Sequence, residues 1–291
     1  MMINVIGAGL AGSIVSTHLR REGFKVRVID DADKKAGSPP SDNLFTPSWV
    51  TRFDRGKVDT GFRLLQELYG PKIVHPFASG IKDAPKVKQI PVQAVLVKPD
   101  VVGKVEQLTG EGVRVLLSGK GTMKTFDGPT IICAGYRAPE LAPIGLYGHG
   151  SSLKVWARIG HCYLFEGRLA PGQSRLGMWA PYRHEKLYQY DEDTVYYADT
   201  VALLIDEYEK RAQEVQALTL RHARQHVGDM RVKKMMIGYR PIVEHHEFGY
   251  CGEDHPNIWH VNGGGKNGLV VYGWCAAQVC AEFKMKDKPK P

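Results

Sequence analysis

The sequence has no run approaching the roughly 20 consecutive apolar residues that a membrane-spanning helix needs, so no membrane association is expected. It has no paired cysteines. Cys133, Cys162, Cys251, Cys275 and Cys280 are odd in number and show no CxxC spacing, which fits reduced thiols in a cytoplasmic protein better than a disulfide framework or a zinc site. There is no HExxH pattern either. His222 and His226 stand at helical i, i+4 spacing without an acidic pair or third ligand, and beside Arg221 and Arg224 they read as part of a solvated basic face. His245 and His246 are adjacent, so on a strand they point to opposite faces, and no metal is expected. The N-terminus lacks the basic flank of a signal peptide and reads as a buried strand.

What the sequence has is an ordinary globular balance, 43% hydrophobic and 24% charged over 291 residues, enough for one large domain or two closely packed ones. The formal charge is +8, a surface that favours polyanions and speeds their encounter. Local basic concentrations are Arg20/Arg21, Lys34/Lys35, Arg231/Lys233/Lys234 and the tail Lys284, Lys286, Lys288 and Lys290.

Residues Ile3 to Ile6 form a short apolar run, followed by Gly7-Ala8-Gly9-Leu10-Ala11-Gly12 and a helical pattern with Leu10, Ile14 and Leu19 on one face. Gly23 closes that helix, and Lys25 to Ile29 alternates as a second strand ending at Asp30. GxGxxG alone is a weak signal. Here it lies between a strand and a helix, with Asp30 placed 18 residues after the third glycine. Gly7 permits the tight turn, Gly9 lets backbone N–H groups approach a pyrophosphate, Gly12 allows close helix–strand packing, and Asp30 accepts from a ribose hydroxyl.

Further along, the pattern predicts a loop over Lys35 to Trp49, a short helix over Gly61 to Tyr69, and strands over Ala94 to Lys98, Val113 to Ser118 and Thr130 to Cys133. It predicts β-rich sequence from about Leu153 to Leu204, a long polar helix over Asp206 to Val227, a strand at Ile258 to Val261, a glycine turn and a last helix over Leu269 to Phe283.

The segment from Met236, MIGYRPIVEHHEFGYCGEDHPNIWHVNGGGKNGLVVYGWCAAQV, resembles the C-terminal block of the FAD-dependent D-amino-acid oxidase and glycine oxidase superfamily. Two further pieces agree. Ser41-Asp42-Asn43-Leu44-Phe45-Thr46-Pro47 falls where that family has a flavin-contacting loop, and Ile131-Ile132-Cys133-Ala134-Gly135 is similar to its strand that ends in Ala-Gly by the cofactor. The stretch between Trp49 and Ala94 is far shorter than the family's insertion, which suggests a more open site, and Asn43-Leu44-Phe45 stands where small residues are common.

The resemblance implies an α/β fold, a Rossmann-type FAD-binding domain with a parallel sheet plus a smaller β-rich substrate domain. Residues 1–50, 94–150 and 236–283 would form the FAD-binding domain, 51–93 a shortened connection, 151–235 the substrate domain with its long helix, and 284–291 a basic tail. The expected cofactor is FAD, held by Gly7, Gly9, Leu10, Ala11, Gly12, Asp30, Asp31, Ser41, Asn43, Leu44, Ala134, Gly135, Gly264, Gly265, Lys266, Asn267, Gly268 and Leu269. Arg240, in Gly238-Tyr239-Arg240-Pro241, would grip a substrate carboxylate with its planar fork. Lys266 and the helix N-terminus near it would face negative charge on a reduced flavin, and Tyr188 is a candidate second carboxylate contact.

The implied reaction is oxidation of a glycine-like amine next to a carboxylate. The substrate is a free amino acid such as glycine, sarcosine or a D-amino acid, or a glycine unit on a larger molecule. The second form is similar to the oxidative domain of the tRNA wobble-uridine modification enzyme. The basic balance and shortened connection favour that form, with a glycine-bearing pyrimidine of DNA or tRNA delivered to an open site. A non-catalytic FAD-binding module and an NAD-dependent dehydrogenase are the competing classes, and oligomeric state is left open.

Overall fold

In the computed structural model the described residues are 1–31, 44–45, 54–70, 73–75, 87–89, 92–144, 155–170, 172–179, 183–199, 203–244, 246, 248–265 and 268–286. The chain opens with β1 (Met2–Ile6), α1 (Leu10–Arg21) and β2 (Lys25–Asp30), then β3 (Leu44–Phe45), α2 (Arg55–Tyr69), β4 (Ile73–His75), β5 (Val87–Gln89) and α3 (Val92–Val95). A meander of β6 (Val101–Thr109), β7 (Gly112–Leu117) and β8 (Met123–Asp127) leads to β9 (Thr130–Ile132) and a 3-10 helix, Gly135–Ile144. Next come β10 (Val155–Glu166), β11 (Arg175–Trp179), β12 (Arg183–Asp191), β13 (Thr194–Asp199), β14 (Leu203–Leu204) and α4 (Ile205–Val227). The chain closes with β15 (Val232–Val243), β16 (Tyr250–His255), β17 (Ile258–Asn262) and α5 (Gly268–Lys286).

The first sheet has eight strands in the order β16-β17-β9-β1-β2-β6-β7-β8, and β17, β9, β1, β2 and β6 run parallel. Ile3, Val5 and Val28 face a core shared with Leu10, Ile14 and Leu19 of α1 and with Val270, Val279 and Phe283 of α5. Helices thus cover one face of this sheet, and the meander with Ala138 of the 3-10 helix covers Ile6, Ile29 and Ile132 on the other, so the parallel strands are buried on both faces. Gly23, at φ +91°, ends α1 in the left-handed region. Asp54 caps α2 by accepting from the N–H of Lys57 at 3.0 Å. Helices α2 and α5 meet at glycines: a Cβ on Gly61 would lie 2.1 Å from the carbonyl oxygen of Val270.

The second sheet is antiparallel, with β11, β12, β13, β10 and β14 in that order and β15 pairing the other side of β10. β15 is therefore an edge, where Pro241, lacking an N–H, is tolerated. Helix α4 covers one face, burying Tyr208, Val215, Thr219, Ala223 and Val227 over Tyr163, Phe165, Leu187 and Tyr197. Asp206 and Glu207 in its first turn and Arg224 in its last complement the helix dipole. β3, β5 and β4 form a small third sheet. No described helix is long and apolar enough to cross a membrane.

The α/β class with a parallel Rossmann-type sheet and a second β-rich sheet is as expected. Two local expectations are corrected. The strand expected over Ala94 to Lys98 is instead the end of α3 and an irregular stretch, because the N–H of Val97 donates to Ser13 Oγ of α1 at 3.1 Å and not to a neighbouring strand. His222 and His226 do not lie on a solvated face. They turn toward the second sheet, where His222 Nδ1 is 3.0 Å from Asp199 and His226 Nε2 is 3.1 Å from Glu185.

Candidate functional site

The turn between β1 and α1 is shaped by backbone contacts that exclude side chains. Gly7 has φ +103°, and a Cβ there would sit 2.6 Å from the carbonyl oxygen of Cys133, while one on Gly12 would sit 1.8 Å from the carbonyl oxygen of Gly7. Gly9 is the N-cap of α1 and supplies no side-chain cap, and the first turn, which includes Leu10, Ala11 and Gly12, carries no acidic residue. A helix start of that kind suits an anion such as a dinucleotide pyrophosphate. Asp30 holds the turn in place, accepting from the N–H of Ala8 at 2.6 Å, and Asp31 pairs with Arg137 at 2.6 Å. The end of β2 is thereby tied to the residues just after Ala134 and Gly135.

A second glycine corner follows β17. Buried Asn262 joins it to the first region: its Nδ2 donates to the carbonyl of Gly135 at 2.8 Å, and its Oδ1 accepts from the N–H of Gly263 at 2.8 Å. Gly264 lies against Tyr272, whose hydroxyl accepts from the Gly264 N–H at 3.3 Å, and Gly265 is left-handed at φ +50°. Burial raises the Tyr272 pKa, so this hydroxyl stays neutral. Gly268 and Leu269 begin α5, and Leu269 is buried in the core. Lys266, Asn267, Ser41 and Asn43 lie outside the described residues, and Leu44 is described only as backbone in β3, opposite Gln89.

The second sheet meets these corners at the end of β15. A Cβ on Gly263 would lie 2.8 Å from Val243 Cγ2, and Tyr239 stacks on Tyr136 with ring centroids 4.6 Å apart. Arg240 stands between those contacts. Its cross-strand partner is Arg158, and Gly160 pairs with Gly238 next to it. The Arg240 guanidinium fills the room those glycines leave: a Cβ on Gly160 would be 3.0 Å from its Nη2. On the other face of β10, burial lowers the pKa of His161, with the backbone of Val215 opposing and the Arg240 charge adding to the effect.

Tyr188 is not brought to Arg240. It is fully buried in an aromatic cluster, stacked on Tyr196 at 4.9 Å. Register places it three strands from β15, level with Lys234 and not with Arg240. Strand spacing and rise put the two roughly 25 Å apart, too far to share one carboxylate. Asn262, Ser13 and Gly160 were missed. Ser13 Oγ donates to the carbonyl of Ala8 at 3.0 Å while accepting from Val97. The only advance signal among them was an asparagine directly before a run of glycines.

A family model described as an NAD(P)-binding Rossmann-like domain matches residues 5–79. A comparison with curated protein sequences returns no match. Among solved structures, glycine oxidase from Bacillus cereus superimposes with a TM-score of 0.67 at 13% identity, over 98% of this chain and 95% of that one. An FAD-dependent oxidoreductase from Pseudomonas aeruginosa gives 0.66 at 14% identity, over 99% and 92%. Iminodiacetate oxidase from Chelativorans gives 0.64 at 16% identity, over 99% and 97%. At such identities the likeness is one of fold. It extends through both sheets and nearly the whole chain.

Proposed function

We propose that the chain is an FAD-dependent oxidoreductase that oxidises the C–N bond of a carboxylate-bearing amine. One observation carries this reading: two glycine corners, joined through Asn262, lie beside a strand whose Arg240 is laid over glycine and has no ion pair among the described residues. The corners and the uncapped start of α1 suit a dinucleotide, and a planar guanidinium suits a carboxylate. Solved structures of the same fold include two amine oxidases and an FAD-dependent oxidoreductase.

Gly7, Gly9, Gly12, Asp30, Ala134, Gly135, Gly264 and Gly265 would hold the cofactor. FAD, when bound, supplies a two-electron acceptor. Arg240 would grip the substrate carboxylate and so hold the adjacent carbon in a fixed position, where orientation is the main requirement. On the substrate side, the Cα–H bond would break with loss of a hydride equivalent, for which FAD would be the acceptor. The nitrogen loses its proton, and a C=N bond forms. Water then adds to the imine carbon, and the C–N bond breaks with its electron pair going to nitrogen.

The finer reading is a glycine unit attached to a pyrimidine of DNA or tRNA, giving an aminomethyl base and glyoxylate; the +8 charge supports it. The free cysteines support a cytoplasmic setting. The test is anaerobic bleaching of the bound flavin by glycine, sarcosine, D-amino acids, unmodified nucleic acid and glycine-modified oligonucleotide, side by side. Fast bleaching by the modified oligonucleotide at low salt is expected. Fast bleaching by a free amino acid, unaffected by competing DNA or RNA, overturns the nucleic-acid part. A colourless protein that takes up no added FAD overturns the whole.

A further inference from the structure

Arg158 and Arg240 face each other directly across β10 and β15, on the same side of the sheet. Directly opposed like charges destabilise a sheet. Other arginines, Arg20, Arg137, Arg168, Arg211 and Arg231, each pair with a carboxylate. Among the described residues, no carboxylate pairs with Arg158 or Arg240. Arg158 is exposed, and its partner on the other flank is Leu204 of β14. Leu204 is 48% exposed, and Trp156, two residues along β10 on the same face, is 46% exposed. Two of the few large apolar side chains that reach solvent among the described residues therefore flank one arginine.

A paired arginine couple bordered by an exposed indole fits a ligand with two separated negative charges and a flat ring. We propose that Arg158, Trp156 and Leu204 form a nucleotide subsite beside Arg240, with a backbone phosphate on Arg158 and a base against Trp156. This rests on the reading of Arg240 as the holder of the substrate carboxylate and names the chemistry of the rest of that substrate. A guanidinium answers phosphate as it answers carboxylate, and base–aromatic stacking tolerates any base. A net charge of +8 favours a nucleic acid strand over a second carboxylate as the source of the outer anion.

The experiment uses the flavin-loaded protein and three probes, with iminodiacetate testing for a second carboxylate. A fluorescently labelled, unmodified oligothymidylate reads the outer subsite by anisotropy across a salt series, and acetate reads Arg240 by perturbing flavin absorbance. Arg158→Gln is expected to weaken oligothymidylate binding about tenfold and to reduce the salt slope by about one. Trp156→Leu is expected to weaken it about tenfold, with Trp156→Phe restoring most of the loss. Both variants should keep their flavin and the acetate response, and Arg114→Gln on the far sheet should change nothing. Oligothymidylate binding that is unchanged in Arg158→Gln and Trp156→Leu overturns the subsite while leaving Arg240 in place. Weakened binding of iminodiacetate in Arg158→Gln, with oligothymidylate unaffected, also overturns it, in favour of a second carboxylate. An acetate response that survives Arg240→Ala instead defeats the reading on which the subsite rests.

Discussion

The turn between β1 and α1 presents backbone groups from a few consecutive residues, Gly7 to Gly12, whereas the arginine face presents side chains from Arg158 and Arg240 on strands far apart in the chain. The first is packed backbone against backbone, with no room for a Cβ at Gly7 or Gly12. The second is positioned by strand register, where a slip of one residue would turn every side chain to the other face. A backbone-built site therefore fails when a side chain is added, and a side-chain-built site fails when one is removed.

The sharpest way to break that contrast is at Gly12. Gly12→Ala places a Cβ where the carbonyl oxygen of Gly7 already stands, so the turn must move. Loss of bound flavin is expected, with destabilisation of about 3 kcal/mol, at the upper end for overpacking, read by denaturant unfolding. Arg240→Ala should behave oppositely. Flavin content and unfolding should stay near wild type while turnover of a carboxylate-bearing amine falls about 100-fold, as expected when charge-assisted hydrogen bonds are lost, and Arg240→Lys should recover little. Steady-state rates beside flavin absorbance check both halves.

Asn262 is a side chain that holds backbone, joining Gly135 to the Gly263 corner, and should show both behaviours at reduced size. Asn262→Ala leaves the part-buried carbonyl of Gly135 and the buried N–H of Gly263 without their partner. A loss of about 2 kcal/mol is expected, with faster flavin release, measured by thermal unfolding and by dilution of the holoprotein.

His161 tests the second sheet by pH. Burial lowers its folded pKa below the ordinary 6.5, so under that pH the unfolded chain takes up a proton that the folded chain refuses. Its contribution to stability is present above 6.5 and is lost as pH falls from there toward the folded value. His161→Phe should flatten the acid limb of unfolding free energy by no more than about 1.4 kcal/mol per pH unit. An unchanged slope would remove His161 as its source. The smallest effect is expected at Arg231→Ala, which breaks an exposed pair with Glu166 and should not shift the unfolding temperature measurably.

The β-α-β unit was legible because its signals are local: alternation in β1 and β2, Leu10, Ile14 and Leu19 on one face, Gly23 at the helix end. The irregular stretch after α3 was misread because its apolar residues do enter the core, while their backbone is satisfied by a serine of α1 that no local pattern reveals. His222 and His226 were misread for a related reason. Their carboxylate partners, Asp199 and Glu185, come from β13 and β12, and only sheet packing brings them under α4.

By itself, the sequence determined where backbone had to approach backbone, since only glycine permits those turns and their spacing is contiguous. It also marked Arg240 through a motif. Tertiary structure alone decided which side chains share a face: it set Arg158 opposite Arg240, buried Tyr188 away from both, and made Asn262 the link between two corners. Register and sheet order are collective properties of strands distant in sequence, and they follow from how whole faces bury their apolar surface together.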